Sequence, residues 1–260
     1  MTRTTLVAVC VCASVITAAP ALAVEGRASD PSARQLADDA KKELLDATSL
    51  HITVANRSDT GRDVRTPARF DLRLDEDGNC AGSLRMGVGG ANGGTVDLVK
   101  RGDEVWMKPD STFWKTQVGG GAGDLAAQLF DGKYVHGTTD DEMLKSFADT
   151  CDLDAFRAQL DDGSAHAAQQ KLSKGAETEV DGVGVVPLTG SDKGSTITMY
   201  ITTDAPHRLV KATEKGSTEN LTMTLTDYDK PVPSATPPAS ESVDISKLND
   251  VNRNETPPQA

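Results

Sequence analysis

The chain is poor in the groups that usually carry chemistry. Its four histidines, His51, His136, His166 and His207, form no HExxH or HxH grouping, which excludes the common zinc-hydrolase spacings. No GxSxG elbow offers a serine nucleophile. The four cysteines include no CxxC pair. Basic residues are outnumbered, 27 Lys and Arg against 39 Asp and Glu, for a formal charge of −12. That balance argues against nucleic acid and against docking on anionic lipid headgroups. Aromatics make up 4% of residues, so any large sheet must pack mainly with aliphatic side chains, which leaves room for a cavity. Beyond the first residues no run approaches the roughly 20 apolar residues of a membrane helix. These absences point to a protein that is not an enzyme and uses neither cofactor nor metal.

What is present begins with a leader. Arg3 precedes the apolar run LVAVCVCASVITAA, and ALA at 21–23 is a small-x-small cleavage site before Val24. This is the pattern of a secretory signal peptide over 1–23, too short to span a bilayer. Cys10 and Cys12 lie inside the apolar run, and neither follows a Leu-x-(Gly/Ala) tripeptide. Release is therefore expected rather than a lipid anchor. Cleavage removes Arg3 from the 27 basic residues and none of the 39 acidic ones, so the formal charge moves from −12 to −13. It leaves Cys80 and Cys151, an even pair in an exported chain, for which a disulfide is the default. Closing a loop of that length contributes roughly 4 kcal/mol in the chain-entropy picture.

After the leader, SDPSARQLADDAKKELLDA carries a helical stripe from Ala33 to Ala47, with Asp30 as expected cap and Pro31 at the first helical position. The period then drops to two. LHITV, FDLRL, LRM, VDL and VWM are short strands separated by Gly, Asp and Asn turns, the spacing of an antiparallel meander. A helical interval follows: GDLAAQLF, then TTDDEMLKSFADT with Thr139 and Glu142 at capping-box spacing, then DLDAFRAQL, which adds Leu153, Phe156 and Leu160. TITMYIT and ENLTMTLTDY resume the strands, with threonines on what reads as a solvated outer face. From 231 to 260 the chain is Pro-rich and polar, and a disordered tail is expected. A one-sided sheet must cover its apolar face, so the fold class is α+β, with helices over a large curved antiparallel sheet.

The stretch DLRLDEDGNCAGSL at 71–84 sets acidic residues on alternate positions before a glycine, as a calcium loop does. With Gly78 at loop position 6, however, Arg73 falls at position 1 and Leu84 at position 12, where an EF-hand needs carboxylates. Asp77-Gly78 between two alternating runs is instead a hairpin signal. GGGAGDLA at 119–126 is a lone, short copy of a calcium-binding glycine repeat, and GVGGANGG at 87–94 leads into a strand. Both read as loops, since one needs a stacked array and the other a helix N-terminus.

NCAGSLRM, VDLVKRGDEVWMKPDSTFWK, LFDGKYVHG and the late DGVGVVPL…LTMTLTDYDKPV occur in an order that resembles the LppX/LprG family of actinobacterial envelope proteins. The wider fold group includes the LolA/LolB lipoprotein carriers, and the likeness covers roughly 32–232. It implies an open half-barrel sheet over helices, with an apolar space that accepts acyl chains. The residues that would line that space are Leu36 and Leu44 of the helix, then Ile52, Val54, Phe70, Leu72, Leu74, Leu84, Met86, Leu98 and Met107. Met143 and Phe147 from the central helices, and Ile197, Met199, Ile201, Leu221, Met223 and Leu225 from the last strands, complete the set. Trp106 and Trp114 are placed on the rim or outer face, with core packing the equal alternative for Trp114.

The expectation is a single domain over 24–230: an exported, monomeric, non-enzymatic protein that binds a lipid or other apolar ligand. Contact with an envelope protein partner is compatible with it. The alternative is an exported interaction module whose core is fully packed.

Overall fold

The computed structural model describes residues 30–58, 61–159, 171–192 and 194–245. The leader expected at 1–23 lies outside these residues, as does the chain from 246.

Helix α1 (Ala33–Asp46) is capped by Ser32, not by Asp30. The Ser32 hydroxyl accepts from the Gln35 backbone N–H at 3.2 Å, and the Ser32 N–H donates to the Gln35 side chain at 2.8 Å. This reciprocal pair satisfies two helix-end donors and outcompetes a carboxylate one turn further out. Leu36, Ala40 and Leu44 recur every four residues and are buried on one side.

The strands are β1 (Ser49–Asn56), β2 (Asp63–Asp75), β3 (Cys80–Val88), β4 (Gly94–Arg101) and β5 (Glu104–Pro109). Next come α2 (Ser111–Phe113), a π-helical turn over Trp114–Val118, α3 (Gly120–Leu129), β6 (Tyr134–Thr138), α4 (Glu142–Ala148) and α5 (153–159). The chain then forms β7 (Ser173–Lys174), β8 (Thr178–Val180), β9 (Val183–Asp192), β10 (Ser195–Thr202), β11 (Leu209–Lys215), β12 (Asn220–Thr226) and β13 (Ser242–Asp244). Among the described residues these make one sheet in the order β13-β6-β5-β4-β3-β2-β1-β12-β11-β10-β9-β7, with β8 also on β9. Every pairing is antiparallel except β13 on β6. Two meanders, β1–β6 and β9–β12, thus meet where β1 lies against β12. No helix among the described residues is long and apolar enough to cross a membrane.

Side chains alternate across this sheet. Val54 stands opposite Met223 on one side and Phe70 on the other, and Ile52 opposite Leu225 and Leu72, so the apolar rows run across the strands on one inner face. Helix α1 covers the β10–β11 half of that face, while α2 lies on β4 and α4 on β5 and β6. The helix that comes first in the chain therefore roofs the strands that come last. Helix α4 starts at Asp141, whose side chain accepts the Thr138 N–H at 2.8 Å. The Thr139–Glu142 capping box does not form, because the chain is still turning at Thr139, bonded to Asp103 O at 2.9 Å.

The 71–84 stretch is scaffold. Gly78 adopts φ +74°, the left-handed region that glycine enters at little cost. The Asp75 carboxylate receives Asn79 N–H at 2.8 Å and the Asn79 amide at 3.1 Å. The hairpin is thus a four-residue loop held by Asp75. Cys80 opens β3 and is bonded to Cys151, 71 residues on, with Cα atoms 5.5 Å apart.

The tail reading is corrected for residues 231–245. Ser49 Oγ donates to Lys230 O at 2.6 Å, Arg101 reaches Ser234 O and Lys133 reaches Ser240 O at 3.1 Å. The segment then adds β13 in parallel to β6 and buries Ile245. Its prolines keep residues 231–238 extended, a single 3-10 turn follows at Ala239–Glu241, and side chains from the sheet bond its carbonyls.

Candidate functional site

The inner face is the only broad apolar surface that the sequence pattern marks for a ligand, and the structure divides it in two. Eleven of the nineteen residues assigned to the lining are enclosed, none more than 6% exposed: Leu36, Leu44, Ile52, Leu72, Leu74, Leu84, Met86, Leu98, Met107, Ile201 and Leu225. The other eight, Val54, Phe70, Met143, Phe147, Ile197, Met199, Leu221 and Met223, are half-buried.

Over β4–β6 the face is plugged. Phe113 and Trp114 meet edge to face at 5.8 Å, Trp114 lies 5.3 Å from Phe130, and Phe113 is 5.8 Å from Phe147. Trp114 is therefore a core residue, 3% exposed. Such aromatic pairs contribute about 0.5–1.5 kcal/mol beyond their buried area, and they fill the inner face at this end. Trp106 alternates with the inward Val105 and Met107, so it points outward, where it stacks on His136 at 4.6 Å.

Over β1 and β2 the face is open. A cleft of about 170 Å³ has Ile52, Phe70, Leu72 and Leu74 as its floor and Ala155, Phe156 and Gln159 of α5 as its roof, with Asp149, Thr150 and Asp152 on the rim. Four of the residues assigned from sequence line it. Its roof was legible only through Phe156. Ala155 and Gln159 carry no sustained apolar signal; they line the cleft because Gln159 falls four residues from Ala155 and three from Phe156, on the same side of the helix.

Three ties fix the roof. The disulfide joins Cys151 to β3, Leu153 is 1% exposed, and Arg157 donates to Ala47 O at the end of α1. The Asp152 carboxylate caps α5 by accepting the Ala155 N–H at 2.8 Å. A second cleft, about 380 Å³, shares Asp149 and Asp152 with the first and adds Asp75, Glu76, Asp77 and Asp154. Lys100 sits in it but donates to Gly78 O at 2.7 Å. The apolar cleft consequently opens beside a negatively charged surface. Among the described residues no group of three His, Cys, Asp or Glu side chains is placed to hold a metal ion.

One polar constellation escaped the sequence reading. On the outer face His51 Nε2 lies 2.6 Å from Asp71 Oδ1, and its Nδ1 lies 3.1 Å from Thr226 Oγ1. Arg69 also reaches Asp71, at 3.3 Å, while Arg73 and Lys230 reach Asp227 at 3.6 and 2.6 Å. Burial by itself pushes the Asp71 carboxyl up, yet the bonds from His51 and Arg69 hold it below its ordinary value. The Lys230 ammonium does the same for Asp227. None of these residues lines a described cleft. The cluster stitches β2, β1 and β12 together from outside.

No protein-family model matches the sequence, and no curated relative matches it. Solved structures do. LprF from Mycobacterium bovis superposes with a TM-score of 0.52 at 16% identity, over 80% of this chain and 99% of LprF. The lipoprotein LppX of Mycobacterium tuberculosis aligns with a TM-score of 0.48 at 16% identity, over 80% of this chain and all of its own. At such identity the likeness speaks for architecture alone. The motif order in the sequence and the open, helix-covered sheet agree: the chain is built on the LppX/LprG fold.

Proposed function

We propose that this chain is an exported, non-catalytic binding protein that takes the apolar end of a neutral lipid into the cleft between β1–β2 and α5. The observation that carries this reading is the change along one inner face, from an aromatic plug over β4–β6 to the half-buried row Phe70, Val54, Met223 beside a cleft with an apolar floor. The size of the cleft limits the ligand. A dry cavity of about 150 Å³ holds a benzene-sized group, so 170 Å³ accommodates about six carbons. At about 0.8 kcal/mol per methylene the enclosed part contributes about 5 kcal/mol, a sub-millimolar affinity. The half-buried row extends the apolar contact beyond it. The rim carboxylates repel an anionic headgroup, which favours an uncharged lipid over a fatty-acid anion.

Titration with a neutral pyrene-alkyl probe and with a pyrene fatty acid tests the reading. The neutral probe is expected to bind more tightly, and Phe70→Glu, which sets a charge in the cleft, to weaken it tenfold or more. No uptake of the neutral probe by the wild-type protein, together with no lipid in a solvent extract of protein from its native host, removes the carrier reading. The second reading then stands, an exported interaction module, favoured by the eleven enclosed residues and the aromatic plug.

A further inference from the structure

The outer face of the sheet carries a surface that the cleft does not use. Register aligns Arg85, Arg69, Ala55, Thr222, Thr213, Thr198 and Thr189 in one row across β3, β2, β1, β12, β11, β10 and β9. At 4.7–4.9 Å per strand the row is roughly 28 Å long. Lys211 and Lys215 lie on β11 on either side of Thr213, one position removed in the alternation. Arg69 and Arg85 stand directly opposite each other; Arg69 is paired with Asp71 at 3.3 Å, while Arg85 faces a like charge. Arg85 and Lys215 are exposed and have no ion-pair partner among the described residues. Asp71, the carboxylate bordering the row, is already held by His51 and Arg69. In a chain of formal charge −12, this strip is locally basic.

We propose that this outer row binds an anionic polysaccharide, its acid groups on Arg85 and Lys215 and its hydroxyls on the threonine row. Guanidinium groups bind carboxylate or phosphate through two parallel N–H donors, and the threonine hydroxyls both donate and accept. The composition of the face selects among anions. A protein partner needs buried aromatic or aliphatic anchors, and a membrane needs an apolar face to insert. The exposed large apolar side chains, Val118, Leu125, Leu129 and Val183, lie off this row.

Polygalacturonate is the probe, titrated into the full chain at low ionic strength. Binding that weakens as salt rises is expected. Exposed charge contacts contribute up to about 1 kcal/mol each, so Arg85→Glu combined with Lys215→Glu is expected to reduce affinity roughly tenfold or more. Thr213→Val keeps the β-branched shape while removing one hydroxyl, and is expected to cost about threefold to tenfold. Both variants should keep the wild-type uptake of the neutral acyl probe, since these side chains face away from the cleft, and neither should melt below the wild type, because Arg85→Glu sets an opposite charge against Arg69. Absence of binding at low salt, or affinity unchanged in both variants, overturns the proposal. So does equal affinity for polyglutamate or duplex DNA, which reduces the surface to a generic anion site.

Discussion

Replacing both bonded cysteines, as Cys80→Ala with Cys151→Ala, tests how much of the fold depends on one covalent tie. The bridge closes a segment of 71 residues. In the chain-entropy account a loop of that length removes about 15 cal/mol/K from the unfolded ensemble, or about 4 kcal/mol at room temperature. For a domain of this size each kcal/mol moves the melting midpoint by about 2–4 °C, so a fall of roughly 9–18 °C is expected. Both cysteines are buried, at 0% and 1% exposure, and alanine leaves small voids that add to the loss. The assay is thermal unfolding followed by circular dichroism, on wild-type and double-variant protein at matched concentration. Free-thiol titration of the denatured mature protein, from which cleavage before Val24 has removed Cys10 and Cys12, should return none. The variant should also bind the acyl probe less well, because Cys151 anchors the roof residues Asp149 to Gln159. A midpoint lowered by less than about 3 °C refutes the entropic argument, and two free thiols in protein lacking Cys10 and Cys12 refute the bridge itself.

Two further outcomes follow from named contacts. Asp71 and Asp227 both titrate below the ordinary 3.8 in the folded protein, so the stability they contribute is complete above about pH 4 and is lost as pH falls through their folded values. Asp71→Asn should therefore flatten the acid limb of urea midpoints measured between about pH 2 and 5, and an unchanged limb would count against the outer stitch. Ending the chain after Lys230 removes the Arg101–Ser234 and Lys133–Ser240 bonds, β13 and the buried Ile245. It bares the β6 edge, and concentration-dependent self-association is expected; light scattering that reports an unchanged monomer would refute that role.

What the sequence made legible was periodicity. Leu50, Ile52 and Val54 alternate in the chain and share a face in the sheet, as do Leu221, Met223 and Leu225. The same pattern assigned every one of these residues a face without saying whether the space before it is filled. That depends on how closely Phe113, Trp114, Phe130 and Phe147 approach one another, which is a matter of tertiary distance. Short, non-alternating elements were opaque for a different reason: Ser242–Asp244 is a strand only because Tyr134–His136 lies beside it. The Arg69–Arg85 pairing was equally hidden, since it exists only in the register of β2 on β3. The disulfide was legible because removal of the expected leader leaves two cysteines and one pairing.

The β1–β12 seam has a kinetic consequence. Each meander pairs neighbours in sequence and can form early from local hairpins, whereas His51 must find Thr226 across most of the chain. Closing so long a loop is entropically slow, so joining the two halves is expected to limit folding. Until that step is complete, each half presents a bare strand edge, and misassembly between molecules competes with it. Substitutions at the seam, such as Val54 or Met223, should therefore slow refolding, while substitutions inside either meander should mainly hasten unfolding.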